Sequence, residues 1–212
     1  MQQTTKNAIN SRYTDLSEKN CCLSCGGAIN HVAAQPTETG VDLGSGRGND
    51  VLRLAEVVGA DGFVHGIDIS EGMIKKAQKN ATKLGVANVA FHSSDIETLP
   101  LEENAANFFI SNCTINHASD KKKVWSEVYR VLKPGGRFVV SDIYSSAPVP
   151  TQYATDPVAL AECWAGAVEK EPYIDTLLEV GFENLQILEE SEYYPKGAIE
   201  VASFTIRGYK PL

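Results

Sequence analysis

Val41-Asp42-Leu43-Gly44-Ser45-Gly46-Arg47-Gly48 is the stretch that decides the fold. A short apolar run ends in three alternating glycines, and Val51, Leu52, Ala55 and Val58 then recur at helical spacing before Gly59. A strand, a glycine turn and a helix in that order open a parallel α/β layer. Glycine lets the backbone approach a ligand closely while the first N–H groups of the helix point at it. The Gly44-x-Gly46-x-Gly48 spacing is not the G-x-G-x-x-G of dinucleotide sites, which disfavours a pyrophosphate ligand.

Working outward, the same alternation continues. Residues 63–69 read as a second strand, Ser70 as a helix N-cap, and Ile74, Ala77, Ala81 and Leu84 as one apolar helix face ended by Gly85. Residues 89–91 and 107–111 are the next strands. Val124, Val128, Val131 and Leu132 form a helix stopped by Pro134, Gly135 and Gly136, and residues 137–141 form a fifth strand. Lys121, Lys122 and Lys123 open that helix against its dipole, which solvent exposure would make tolerable. After a linker at 147–150, helices are expected around 159–168 and 173–180, then two antiparallel strands at 185–188 and 199–206. Residues 37–212 thus read as one domain, with 147–170 an insertion beside the acceptor site. Residues 1–36 form a cysteine-bearing segment expected to fold over that site as a lid.

Composition narrows the function classes. The 212 residues carry 19 basic and 27 acidic side chains, a net charge of −8, which argues against nucleic acid and anionic membranes as partners. No apolar run approaches a membrane span, and the polar first twenty residues lack a signal core, so a cytoplasmic protein is expected. In a reducing compartment its 5 cysteines are thiols.

Two carboxylates give the glycine loop a purpose. Asp68 ends the second strand, where it can accept both ribose hydroxyls of an adenosine, and Asp95 with Ile96 follows the third, where they meet an adenine edge. In doubly wound sheets ligands sit beyond the carboxyl ends of the strands, and all three features fall there. The segments 41–48, Gly66-Ile67-Asp68-Ile69-Ser70 and Val131-Leu132-Lys133-Pro134-Gly135-Gly136 resemble the signature of class I S-adenosylmethionine-dependent methyltransferases. The resemblance implies a Rossmann-like α/β fold, with a seven-stranded, mostly parallel sheet and an antiparallel last strand. It also implies S-adenosyl-L-methionine as cofactor: Asp42, Gly44, Ser45 and Gly46 on its methionine side, Asp68 and Ile69 at the ribose, Met73, Asp95 and Ile96 around the adenine, and Asn112 at the methionine amino group. Gly40 departs from the pattern, leaving a thin first strand where an apolar residue is usual.

The cysteines bear on the acceptor. Cys113 follows Asn112, Cys163 lies in the insertion, and Cys21, Cys22 and Cys25 come from the N-terminal segment. Thiols from three segments near one pocket suggest a site for a soft centre. Against this, a buried cysteine is commonly just packing, and Cys22-x-x-Cys25 also suits half a zinc site or a redox pair. Zinc would want a second C-x-x-C or a histidine pair, whereas His31, His65, His92 and His117 are scattered. His117, near Cys113, reads as a loop histidine beside a helix cap.

A narrower resemblance follows from Ser111-Asn112-Cys113-Thr114-Ile115-Asn116, Ser141-Asp142-Ile143-Tyr144-Ser145-Ser146 and Glu162-Cys163-Trp164-Ala165-Gly166-Ala167, which look like motifs of arsenite methyltransferases. It implies methyl transfer to trivalent arsenic held by Cys113, Cys163 and Cys25, with Cys22 as a substitute third thiolate, and a thiol reductant as partner. The chain stops short of the cysteine-rich tail of many members, implying different later methylation steps. The alternatives are a methyltransferase for an ordinary O, N or C acceptor and a non-catalytic cofactor- or metal-binding module.

Overall fold

The computed structural model describes residues 2–17, 26–160 and 163–212. Strands β1 (Thr39–Leu43), β2 (Phe63–Asp68), β3 (Val89–Ser93), β4 (Ala106–Asn112), β5 (Leu132–Ser145), β6 (Glu183–Glu190), β7 (Tyr194–Lys196) and β8 (Ile199–Tyr209) share one sheet. The continuous order is β3-β2-β1-β4-β5-β8-β6. Pairing is parallel from β3 to β5, and β8 runs antiparallel to both β5 and β6. That is the seven-stranded sheet implied by the sequence. β7, a three-residue strand inside the expected polar turn, adds an eighth by pairing with β8.

Helices α1 (Gln2–Ser17), α2 (Ala28–His31), α3 (Asn49–Val58), α4 (Glu71–Leu84), α5 (Lys121–Val131), α6 (Thr151–Ala154), α7 (Pro157–Leu160) and α8 (Lys170–Val180) surround it. Their ends follow local chemistry. Ser70 Oγ accepts the Met73 N–H to cap α4, which closes at left-handed Gly85, and Asp120 accepts the Lys123 N–H to cap α5. On one sheet face Trp125 of α5 packs 4.8 Å from the Phe138 ring and edge-on to Phe182. On the other, Val51, Leu54 and Val58 of α3 meet Phe108, Ile110 and Val139. None of the described helices is long and apolar enough to cross a membrane.

Several local expectations are corrected. Leu54, not Leu52, completes the buried stripe of α3, and Leu84, the last residue of α4, is 65% exposed. Gly40 is no weakness: a Cβ there would lie 2.1 Å from the Phe108 ring, so the buried ring fills the space a side chain would take. β5 begins before Pro134, and its register on β4 slips between Ala106 and Phe108, which lets Gly135 turn at φ +75° inside the strand. The helix expected at 159–168 is broken into α7 and a 3-10 turn at Trp164–Gly166, because Cys163 takes φ +75° between them. Lys121 is half-buried rather than exposed. Burial pulls its pKa below the usual lysine value, against the nearby negative charges of Asp142, Cys163 and Glu97.

Candidate active site

The carboxyl ends of β1, β2, β4 and β5 open into a cavity of about 850 Å³. Gly44, Gly46, Asp68, Ile69, Met73, Asp95 and Ile96 line one end, and Asn112, Cys113, Asp142 and Cys163 line the other. Gly44 turns at φ +75°, where a Cβ would lie 1.9 Å from Thr114 Oγ1, so the loop fits against the residue after Cys113 only as glycine. Gly46, at φ +52°, has open space where a Cβ would point.

Asp68 sits at the pivot of this end. Its Oδ2 accepts the Gly46 N–H at 2.9 Å and its Oδ1 the Ser70 N–H at 2.8 Å. Burial raises its pKa, and those two N–H groups oppose the rise. Each carboxylate oxygen has a second lone pair, so capacity for two hydroxyls remains. Asp42 and Ser45, expected on the methionine side, do not reach the cavity. Asp42 is 4% exposed in β1, its pKa pushed well up by burial and by the charges of Asp50 and Asp68. Ser45 Oγ turns back to within 2.8 Å of where a Gly66 Cβ would stand. Asn112 Nδ2 donates to Asp50 Oδ2 at 3.3 Å while its Oδ1 accepts the Ala28 N–H at 3.3 Å, tying β4 to both α3 and α2.

At the other end two cysteines fifty residues apart in sequence meet. The Cys163 thiol donates to the Cys113 carbonyl at 3.2 Å and approaches Asp142 Oδ1 at 3.5 Å. One donor atom each from Cys113, Asp142 and Cys163 lies within 4.8 Å of the others. Both cysteines hold left-handed backbone, φ +52° and +75°, which costs a non-glycine residue of order 1–3 kcal/mol and is typically retained at functional positions. Asp142 is 2% exposed, and burial lifts its pKa to about 6, its hydrogen bonds to Ile143 N–H and the Cys163 thiol acting the other way. Cys21, Cys22 and Cys25 lie outside the described residues. Gly26, which follows Cys25, packs so closely that a Cβ would lie 2.5 Å from Asn112 Oδ1 and 2.4 Å from Ser141 Cβ.

α1 crosses the mouth. Lys6 ion-pairs with Asp95, and that contact holds its pKa above the ordinary lysine value despite some burial. Tyr13 reaches His117 Nε2 at 3.1 Å, while His117 Nδ1 lies 2.9 Å from the Leu160 carbonyl. A carbonyl only accepts, so Nδ1 carries the hydrogen and Nε2 accepts from Tyr13. Burial drops the His117 pKa to about 4, keeping the ring neutral for this role. The ring therefore bridges α1, the turn after Cys113 and the segment leading to Cys163, rather than sitting idle beside a cap.

The chain matches the family described as Methyltransferase domain over residues 35–194. It belongs to the S-adenosylmethionine-dependent methyltransferases. The crystal structure of an arsenic(III) S-adenosylmethionine methyltransferase from Chlamydomonas reinhardtii superposes with a TM-score of 0.79 at 32% identity, over 98% of this chain and 74% of that one. An arsenite methyltransferase of Halobacterium salinarum is 41% identical over 170 residues, 80% of this chain and 44% of that protein. The human arsenite methyltransferase is 36% identical over 151 residues, 67% of this chain and 40% of that protein. The methyltransferase thus spans less than half the length of these two curated relatives.

S-adenosylmethionine fits the residues present. The open space over Gly46, the two-oxygen face of Asp68 and fully buried Met73 bound a cavity in the ordinary size range for ligands of this kind. Sequence reasoning missed Lys6, Tyr13, Asn116 and Asp142 in this methyltransferase. Lys6 and Tyr13 carried no local signal, since α1 is polar and weakly patterned. Asp142 did: a carboxylate near the carboxyl end of a central parallel strand is a site position.

Proposed function

We propose that this protein methylates trivalent arsenic bound as a thiolate complex through Cys113 and Cys163, with Cys25 or Cys22 supplying a third sulfur. The observation that carries the reading is the meeting of two strained thiol-bearing residues in the cavity that also holds the glycine loop and Asp68. Similarity to arsenite methyltransferases supports the same substrate. The approach of Gly26 to Asn112 and Ser141 supports an N-terminal thiol nearby. On this reading residues 1–36 act as the lid over the site, and 147–170 carry part of the acceptor pocket within the domain of residues 37–212. Asp42 and Ser45 shape the loop from behind, whereas Gly44, Gly46, Asp68, Ile69, Met73, Asp95, Ile96 and Asn112 contact the cofactor. The protein works in the cytoplasm, apart from nucleic acid, and a small thiol reductant returns its cysteines to the reduced form.

S-adenosylmethionine supplies an electrophilic methyl group. The residues of this chain contribute alignment: thiolate ligation holds arsenic with its lone pair facing the cofactor end of the cavity. Positioning of that kind removes up to about 7–11 kcal/mol from a bimolecular barrier. The lone pair carries no proton, so attack requires no general base. His117, held neutral by burial and bridging Leu160 and Tyr13, and α1 above it keep water from the site. The test is product formation from labelled S-adenosylmethionine with and without arsenite. Arsenite-dependent product is expected, lost in Cys113→Ser and in Cys163→Ser with cofactor affinity retained. Full arsenite turnover in both variants refutes the thiolate reading.

A further inference from the structure

Asp142 has an asymmetric environment that methyl transfer does not use. Its Oδ1 accepts Asn116 Nδ2 and the Ile143 N–H, each at 2.9 Å, and faces the Cys163 thiol at 3.5 Å. Its Oδ2 is buried and has no hydrogen-bond partner among the described residues. A buried carboxylate oxygen left bare is costly, and one oxygen of this carboxylate lies within 4.8 Å of both sulfurs. A carboxylate whose one oxygen is held by N–H donors and faces a thiol, while its other oxygen is bare, has the outer support expected of a metal ligand.

We propose that Cys113, Asp142 and Cys163 form a three-donor site for a borderline-soft divalent cation of the zinc and cadmium type. Two sulfurs and one oxygen suit such ions, whereas magnesium and calcium want oxygen alone. Zinc-to-sulfur bonds are about 2.3 Å, so donors within 4.8 Å close on an ion with roughly 1 Å of side-chain adjustment. The fourth position opens on the cavity, where water completes the shell. Binding releases the two thiol protons to solvent and leaves Asp142 ionised on the cation. Cation binding stands by itself. Its consequence, that these ions compete with arsenite for the same sulfurs, rests on the activity proposed above.

The experiment is a titration of the full-length protein with cadmium alone, in a background where Cys21, Cys22 and Cys25 are serine. Thiolate absorption then reports only Cys113 and Cys163. One cadmium per chain with the intensity of two thiolates is expected, and Asp142→Asn should weaken affinity about tenfold or more at unchanged intensity. Equal affinity in Asp142→Asn, or an endpoint at one thiolate, overturns the site. A second measurement needs no substitution: zinc should slow iodoacetamide alkylation of both Cys113 and Cys163 in the unaltered protein, followed by mass spectrometry. Unchanged rates overturn the proposal even if Asp142→Asn does not fold. If arsenite turnover is absent while cadmium binds as described, the proposed activity fails and this site stands. The reverse result refutes this inference alone.

Discussion

The two ends of the cavity are built by different means. At the glycine loop, contacts are made by backbone N–H groups: Gly46 and Ser70 donate to Asp68, and Gly44 follows directly from β1. At the thiol end, Cys113, Asp142 and Cys163 come from three separate segments, and two of them pay in backbone strain. Backbone amides and glycines make a cradle that tolerates drift elsewhere in the chain. Side chains brought together across the fold depend on every element that positions them, so the thiol end should fail first when packing is disturbed.

The harshest way to break that contrast is Gly44→Ala, because Gly44 abuts Thr114 and so touches both ends. Left-handed backbone and overpacking together should cost about 2–6 kcal/mol, read by denaturant unfolding, and cofactor binding should weaken with it. Stability within experimental error of the parent would show the loop to be looser than the geometry describes. Asp68→Ala tests the cofactor end alone. Loss of charged hydrogen bonds worth about 1.5–3 kcal/mol should lower S-adenosylmethionine affinity roughly 10- to 100-fold by calorimetry. His117→Ala tests the thiol end alone. Leaving the Leu160 carbonyl and Tyr13 hydroxyl unpaired costs about 1–2 kcal/mol. On the proposed activity the arsenite KM should rise several-fold while cofactor affinity stays put, and an equal loss of both would erase the distinction between the ends.

The smallest effect is a pH dependence from β2, next to the edge strand β3. Burial, aided by the charge of neighbouring His92, lowers the His65 pKa from 6.5 to about 4. The unfolded chain then binds a proton that the folded chain refuses, so stability is full above pH 6.5 and falls as pH drops toward 4. His65→Phe should flatten that slope in melting temperature between pH 7 and 5 while leaving arsenite turnover untouched, since His65 lies outside the cavity.

Much of this was legible from the order of residues because it is local. Ser70 before a helical stripe, Gly85 after it and Asp68 at a strand end announce themselves within a few positions. Leu84 misled because a helix-end residue at the right spacing can still overhang solvent. The region around 159–168 misled because small residues favour helix, yet Gly166 must pass under the Asn116 carbonyl, where a Cβ would come within 1.9 Å. Asp42 and Ser45 occupy motif positions but do not line the cavity, and which residues of a strand do so is set by its neighbours rather than by spacing.

The amino-acid order by itself determined the parallel α/β layering, the reversed late strand and the glycine cradle with its acidic partner. Only the folded chain decided that Cys113 and Cys163 meet, that a carboxylate oxygen of Asp142 lies within 4.8 Å of both, and that Lys6 and Tyr13 reach down from α1. Periodicity and caps act over one or two turns and are written in neighbouring letters. Convergence of distant side chains is the product of strand register, backbone handedness and packing acting together, and no single segment encodes it.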